Sequence, residues 1–234
     1  MDTFYVELNE VTSDSIGLLV KERPAPPAPE PDYDAIKLPG RDGALYCRRD
    51  TVPDIPVKFT FGFKAKKDLW MEQYRIVKEW LYDGIGGRLV LSDDPEYFYQ
   101  VKHLKIKSTD RFIRTMGQIV VEFICSGYQY LLEGTTEMDV DHVLYNRYYT
   151  SHPVYKITGE GVCTLTVNGK TMVANVGQNL TIDTERKLSY RLDNTIMNTS
   201  VTGNYDDMYL LRGKNSITIT NGFELKIIPN WRCR

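Results

Sequence analysis

The sequence predicts a mainly β protein, and three observations support this fold class. The run from Gly117 to Tyr130 is apolar on both alternating faces for most of its length, which is typical of a central strand covered on both sides. One segment, Asp68 to Asp83, shows the periodicity of an amphipathic helix. After Glu133, turn signals recur between short alternating segments, among them Gly159 to Gly161, Asn168-Gly169 and Gly177-Gln178, which indicates an antiparallel β-sandwich.

A length of 234 residues accommodates two domains of ordinary size. We place the first domain at residues 1–133 and predict an α+β unit, an antiparallel β-sandwich with one packed helix. We place the second at residues 134–234 and predict an antiparallel β-sandwich without a helix. In the first domain, short strands are expected at Phe4 to Val11 and at Ile16 to Val20.

The helix of the first domain has a predicted packing partner. Strand residues Val57 to Phe63 alternate with polar residues and place three phenylalanines on one face. From Asp68, the expected N-cap, to the glycines after Asp83, the expected C-terminal cap, large apolar residues recur at helical spacing. These residues are Trp70, Tyr74, Val77 and Leu81. We therefore expect this helix face to cover the phenylalanines.

Composition restricts the function classes. The chain has 29 basic and 31 acidic residues, whereas nucleic-acid binding normally requires a basic excess, so sequence-specific nucleic-acid binding is not expected. The N-terminus lacks signal-peptide features, and no apolar run approaches the roughly 20 residues that span a bilayer. Four cysteines without framework spacing are expected to be buried free thiols in a reducing cytoplasm: Cys47, Cys125, Cys163 and Cys233.

Two segments of the first domain are candidates for contacts. Prolines dominate Arg23 to Pro31, so this arm cannot pair in a sheet; it is a structural crossover, an arm laid on a neighbouring subunit or a ligand for an aromatic groove. The segment Lys102 to Arg114 carries a basic stripe that we assign to the exposed face of a hairpin. Between them, Gly40 to Gly43 predicts a hairpin or corner.

The sequence contains no catalytic signature. Its three histidines, His103, His142 and His152, lie far apart and are expected to be surface or interface residues, and no HExxH, GxSxG or Walker pattern occurs. Asp93, Asp94 and Glu96 lack the ligand spacing of a calcium loop, and we assign them to a proline-containing turn. We therefore predict no catalytic, cofactor-binding or metal-binding residues and no enzymatic activity.

The order and spacing of several motifs resemble the distal tail proteins of long non-contractile-tailed (siphovirus-type) bacteriophages. The resemblance spans nearly the whole chain and departs at Arg212, where the related pattern often has proline. Its motifs are Gly40-Arg41-Asp42-Gly43, the helix Trp70 to Leu81, Leu91 to Tyr99, Gly117-Gln118, Phe123-Ile124-Cys125, Asn168-Gly169, Leu211 to Ile217 and Ile228 to Arg232.

The resemblance implies a hexameric hub that joins the tail tube to the tail tip. It further implies a galectin-like or carbohydrate-module-like second domain that projects outward, and a location at the virion tail tip after assembly in the host cytoplasm. Implied partners are other copies of the chain, including back-to-back double rings in isolation, the major tail tube protein, a tail-associated tip protein and a receptor-binding protein. Candidate ring contacts are Arg23, Pro24, Pro31, Lys102, Lys105 and Arg111.

The alternative function is a carbohydrate-binding adhesion module that recognises the host cell wall. In that case, exposed aromatic side chains of the second domain would stack on sugars. The candidates are Tyr145, Tyr148, Tyr149, Tyr205 and Tyr209.

Overall fold

The computed structural model describes residues 4–30, 32–49, 51–140 and 142–234. The chain divides into two compact units, with the division between Gln129 and Tyr130. Antiparallel curled sheets dominate both units, and α1 (Trp70–Asp83) is the one α-helix among the described residues. The mainly β fold class is therefore confirmed.

The first unit contains one large sheet, a separate hairpin and the helix. The large sheet has the strand order β2-β1-β7-β8-β9-β6-β3, and β4 pairs with β5 alone. The elements are β1 (Val6–Leu8), β2 (Val11–Thr12), β3 (Leu18–Val20), β4 (Tyr33–Lys37), β5 (Ala44–Arg48), β6 (Ile55–Lys64), α1 (Trp70–Asp83), β7 (Arg88–Leu91), β8 (Asp94–Ile113) and β9 (Met116–Leu131).

The predicted central strand is β9, which lies between β8 and β6. Its pairing with β6 is continuous from Ile55 opposite Cys125 to Lys64 opposite Met116. One face of β9 is fully buried at Ile119, Val121 and Phe123, but the alternate face is only half-buried. The prediction of two covered faces is wrong for the second face, where Glu122 pairs with Lys107 at 3.0 Å.

Helix α1 covers the aromatic face of β6, as predicted. Trp80 packs edge-on against Phe61 with ring centroids 5.9 Å apart, and Trp70 lies 5.4 Å from Phe63. Val77 and Leu81 are fully buried beside them. The helix thus completes the core of the first unit.

The ends of α1 differ in part from the prediction. The helix begins at Trp70, its N-cap residue is Leu69, and Asp68 has a φ of +67°. Asp68 therefore lies outside the helix and is not its cap. At the other end a Cβ on Gly84 would lie 2.0 Å from Leu8, so only glycine fits where the helix ends against β1.

Two local boundaries in the first unit also differ from the prediction. The expected strand from Phe4 to Val11 is interrupted at Asn9 and Glu10, whose φ values of +49° and +67° turn β1 into β2. The turn expected across Asp93, Asp94 and Glu96 ends earlier, because β8 already begins at Asp94. The pairing of β7 with β8 shifts in register between Val90 and Leu91, next to Pro95, the second residue of β8.

The second unit is built around one long hairpin. Its sheets have the order β10-β17-β12-β13-β14, with β16 joining β11 to β12 and β15 paired with β13. The strands of these sheets are β10 (Met138–Asp139), β11 (Val143–Asn146), β12 (Val154–Val167), β13 (Lys170–Asp183), β14 (Leu188–Tyr190), β15 (Val201–Thr202), β16 (Gly213–Ile219) and β17 (Glu224–Ile228), and β18 (Arg232–Cys233) lies outside them.

The hairpin of β12 and β13 closes at Asn168-Gly169, as predicted, with φ values of +51° and +80°. The turns expected at Gly159 to Gly161 and at Gly177-Gln178 are wrong. These residues face one another inside the ladder, and Gly159, Gly161 and Gln178 have positive φ values. A glycine marks a bend within a strand as readily as a turn, so the sequence pattern did not separate the two.

The four cysteines are free, but their burial differs from the prediction. Cys125 and Cys163 are buried, Cys233 is half-buried and Cys47 is exposed on β5. Burial, together with the nearby Asp54 carboxylate, raises the pKa of Cys125 to about 12. Cys47 is exposed because the two-stranded sheet of β4 and β5 leaves it without a covering layer.

Truncation of Trp70 tests the packing of α1. Trp70→Ala removes a buried side chain and should lower the free energy of unfolding of the first unit by about 3–5 kcal/mol. Glu72 is exposed on the same helix, so Glu72→Ala should change it by less than about 0.5 kcal/mol. Scanning calorimetry measures both, and an unchanged first-unit transition in Trp70→Ala would refute the core assignment.

Thiol labelling tests the cysteine environments. In denaturant without reductant, four free thiols should titrate. In the native protein Cys47 should react first, because it is exposed, and Cys125 should react slowest, because a buried thiol of raised pKa holds little thiolate. Mass spectrometry after timed alkylation ranks the four sites, and a disulfide-linked peptide in freshly purified protein would contradict the assignment.

Candidate functional site

The proline-rich arm lies against its own unit. The Arg23 guanidinium is 5.4 Å from the centre of the Phe4 ring and 4.0 Å from the Asp93 carboxylate. A Cβ on Gly127 of β9 would lie 3.2 Å from Pro29, so the far end of the arm packs closely on the sheet. Pro24 is half-buried, and Pro31 lies outside the described residues. These contacts fit the crossover interpretation.

The basic candidates lie on β8, on the hairpin that β8 forms with β9. Lys102 donates to the Asp54 carboxylate at 2.6 Å, and Arg111 lies 5.0 Å from the centre of the Trp70 ring. Lys105 is exposed. Two of the three predicted contact residues therefore already have partners within the chain.

The hairpin of β4 and β5 is a surface that the sequence analysis did not identify as a contact site. Gly40 and Gly43, with φ values of +78° and +79°, form its connection. Tyr33 and Tyr46 pair edge-to-face at 6.3 Å and are 48% and 66% exposed. Further exposed apolar side chains on or beside this hairpin are Ile36, Leu38 and Leu45. The indication in the sequence was the group of apolar strand residues on either side of the Gly40 to Gly43 corner. No other segment of the sequence had been assigned to cover them.

The five tyrosine candidates have different environments. Tyr145 is 64% exposed on β11, opposite Lys214. Tyr148 is half-buried, with its ring 6.3 Å from Trp231. The Tyr149 backbone amide donates to the carbonyl of Arg232 at 3.0 Å. Tyr148 and Tyr149 therefore both lie beside the C-terminal segment that contains Trp231 and Arg232, whereas Tyr145 lies on β11.

Tyr205 and Tyr209 lie at the two ends of one 3-10 turn and hydrogen-bond to different partners. The Tyr205 hydroxyl contacts Ser189 at 2.8 Å. Tyr209 stacks on His152 with ring centroids 3.8 Å apart and donates to Asp206. Burial, followed by this hydrogen bond, raises the pKa of Tyr209, whereas the hydrogen bond from Lys187 lowers the pKa of Asp206.

The His152 ring connects Tyr209 to the C-terminal strand β18. Its Nε2 accepts from the buried Arg232 guanidinium at 2.8 Å, and its Nδ1 donates to Glu185. Because both ring nitrogens and one ring face are engaged, His152 serves packing here. The sequence predicts a surface or interface residue at His152. It does not reveal these contacts, since the partner residues lie 33 and 80 positions away along the chain.

The described part of the chain contains neither a cluster that could hold a metal ion nor a membrane-spanning helix. Among the described residues, no group of three or more His, Cys, Asp and Glu side chains is arranged to hold a metal ion. Across the same residues, α1 and the short 3-10 helices fall below the length and apolarity that a membrane-spanning helix requires.

Comparison with known proteins identifies the fold. No protein-family model matches this chain, and no curated protein sequence matches it. Among solved structures, the chain is similar to the crystal structure of SPP1 Dit (gp 19.1), which is described as a paradigm of the hub adsorption apparatus in phages that infect Gram-positive bacteria. The TM-score is 0.69, the sequence identity is 11%, and the match covers 97% of this chain and 98% of that one. The chain therefore has the fold of the siphophage distal tail protein Dit through both of its units.

Proposed function

We propose that this chain is a structural hub protein of a long-tailed phage, located at the virion tail tip, with no catalytic role. The observation that carries the proposal is the coverage of the match to SPP1 Dit, which includes nearly all of both chains. A shared domain alone would support only a fold, since one fold serves many functions. A match through both units, in the same order, supports a common architecture.

We propose further that the first unit forms a homohexameric ring that joins the major tail tube protein to a tail-associated tip protein. Ring closure requires two different surfaces on each subunit. The exposed face of the β4–β5 hairpin supplies one of them. Tyr33 and Tyr46 share this face, whereas Ile36 and Leu45 lie on the opposite face of the two-stranded sheet. Tyrosines are typical of the centre of an interface, where large side chains become desolvated.

The stability of this hairpin supports the same assignment. Isolated two-stranded hairpins are marginally stable in water, and exposed apolar strands are prone to associate. Here the strands form a sheet of their own, and an ion pair between Arg49 and Asp34 holds the base of the hairpin. Docking on a neighbouring copy would bury the tyrosines and stabilise the hairpin. The candidates for the second surface stay those predicted from the sequence: Arg23, Pro24, Pro31, Lys102, Lys105 and Arg111.

The second unit is proposed to contact adhesion components, including a receptor-binding protein. Its exposed side chains include Tyr145, Leu192 and Leu211. The aromatic sugar-binding alternative stays a prediction. Tyr148, Tyr149 and Tyr209 contact the adjoining residues Trp231, Arg232 and His152, whereas Tyr145 and Tyr205 have other partners. The five tyrosines therefore do not share one set of partners.

The mass of the native assembly tests the ring. Light scattering or native mass spectrometry should give six times the chain mass of 27.0 kDa, or twelve times if two rings associate. Tyr46→Asp should shift the protein to monomer, because burying an unpaired carboxylate in an interface costs several kcal/mol. The weaker association should appear as at least a tenfold increase in the protein concentration at which half of the chains are assembled.

Tyr145→Asp is the matched control, because Tyr145 is 64% exposed and Tyr46 is 66% exposed. It introduces the same charge on a strand of the second unit and should leave the assembly mass unchanged. Circular dichroism verifies the fold of both variants. A hexameric Tyr46→Asp protein would exclude the hairpin as a ring contact, and a monomeric parent protein would count against the ring itself.

A further inference from the structure

The second unit contains two Asn-Gly pairs, Asn168-Gly169 and Asn221-Gly222, and each pair lies in a turn. Asparagine followed by glycine is the dipeptide in which the asparagine side chain reacts most readily with the main chain, because glycine has no Cβ to obstruct the approach. The proposed hub function uses neither pair. Their surroundings in the fold differ, so their reactivity should differ as well.

The side-chain amide of Asn168 is held at both of its polar atoms. Its Oδ1 accepts from the Ser216 backbone amide at 3.0 Å, and its Nδ2 donates to the Asn215 side-chain oxygen at 2.8 Å. The Asn168 backbone amide also donates to the Ser216 carbonyl at 2.9 Å. Pairing of Val167 with Lys170 closes this turn at the end of the β12–β13 ladder. Rotation of the Asn168 side chain toward the main chain would therefore break hydrogen bonds to β16.

The turn at Asn221 and Gly222 connects β16 to β17. These two strands each pair with β12 and not with one another, so no ladder among the described strands closes the turn. Both residues are exposed. Within the described part of the chain, neither the Asn221 side chain nor the Gly222 backbone amide has a hydrogen-bond partner. Asn221 can therefore turn its side chain toward the main chain without breaking a hydrogen bond.

Steric access does not distinguish the two pairs. A Cβ built on Gly169 or on Gly222 would meet no atom within 4 Å, and their φ values are +80° and +90°. Both glycines thus leave open space where a side chain would lie. The difference between the pairs is the hydrogen bonding of the asparagine.

We propose that Asn221 is a self-modification site. The Gly222 backbone nitrogen attacks the Asn221 Cγ, and the new C–N bond closes a succinimide ring. The bond from Cγ to Nδ2 breaks, and ammonia leaves with the proton of the Gly222 amide. Water then opens the ring, which gives aspartate by attack at the side-chain carbonyl or isoaspartate by attack at the main-chain carbonyl. The attack is intramolecular, so it needs no enzyme.

The product carries a carboxylate where the parent protein has a neutral amide. Glu224 follows two positions after Gly222 at the start of β17, so the new charge adds to a carboxylate already present there. Because ammonia is lost, the change is not reversed. The modified fraction therefore rises with the age of the protein.

Peptide mass spectrometry on the full native chain tests the proposal. The protein is incubated in mildly alkaline buffer, which favours the deprotonated amide nitrogen, and the peptides that contain Asn168 and Asn221 are quantified at intervals. Asn221 should convert at least about tenfold faster than Asn168, because Asn168 must first break its two side-chain hydrogen bonds.

Asn168 is the matched control within the same molecule. In denaturant, where its hydrogen bonds are lost, the two sites should convert at similar rates. Asn221→Gln should show little conversion at this position, because the longer side chain must close a larger ring, and its thermal melt should match that of the parent protein.

Three outcomes would overturn the proposal: native rates at Asn221 that do not exceed those at Asn168, an unmodified native Asn221 under conditions in which the denatured chain reacts, or a tenfold difference that persists in denaturant. The assembly mass is measured separately, so failure here leaves the ring proposal standing.

Discussion

The first unit depends on the continuous pairing of β6 with β9. Ten residue pairs join these strands, and the ladder places Phe59 and Phe123 in edge-to-face contact at 5.7 Å. Aromatic pairs of this geometry contribute about 0.5–1.5 kcal/mol beyond the burial of their surface. Helix α1 packs on this aromatic layer through Trp70 and Trp80 and buries it from water. The free edge of β6 is then closed by β3.

The second unit is also built on one long antiparallel ladder, the pairing of β12 with β13. The ladder of β12 and β13 is longer, with fourteen residue pairs, and it buries Tyr155, Leu165 and Met172. Tyr155 also donates to the Met208 carbonyl at 2.8 Å, so its hydroxyl is satisfied inside the core. Gly159, Gly161 and Gln178 take positive φ values within this ladder, so its backbone departs from regular extended geometry there.

The surface of the first unit carries charged side chains that form ion pairs and, separately, large apolar side chains that are exposed to water. Lys102 and Arg23 are engaged by Asp54 and Asp93, and exposed ion pairs of this kind contribute little to stability. The tyrosines of the β4–β5 hairpin, by contrast, keep a large apolar area in water. Desolvating that area favours association far more than rearranging exposed ion pairs does. For this reason the hairpin is the stronger candidate for a ring contact.

The sequence by itself determined the features that depend on local periodicity: the buried face of β9, the apolar face of α1, the Asn168-Gly169 turn and the mainly β fold class. Only the tertiary structure decided which glycines lie in turns and which bend a strand, because both need the same positive φ. It also decided the partners of His152 and Asn168, which lie in distant strands. The exposure of Tyr46 and Cys47 likewise followed from the absence of a second layer over the hairpin, and alternation along one strand carries no information about what covers it.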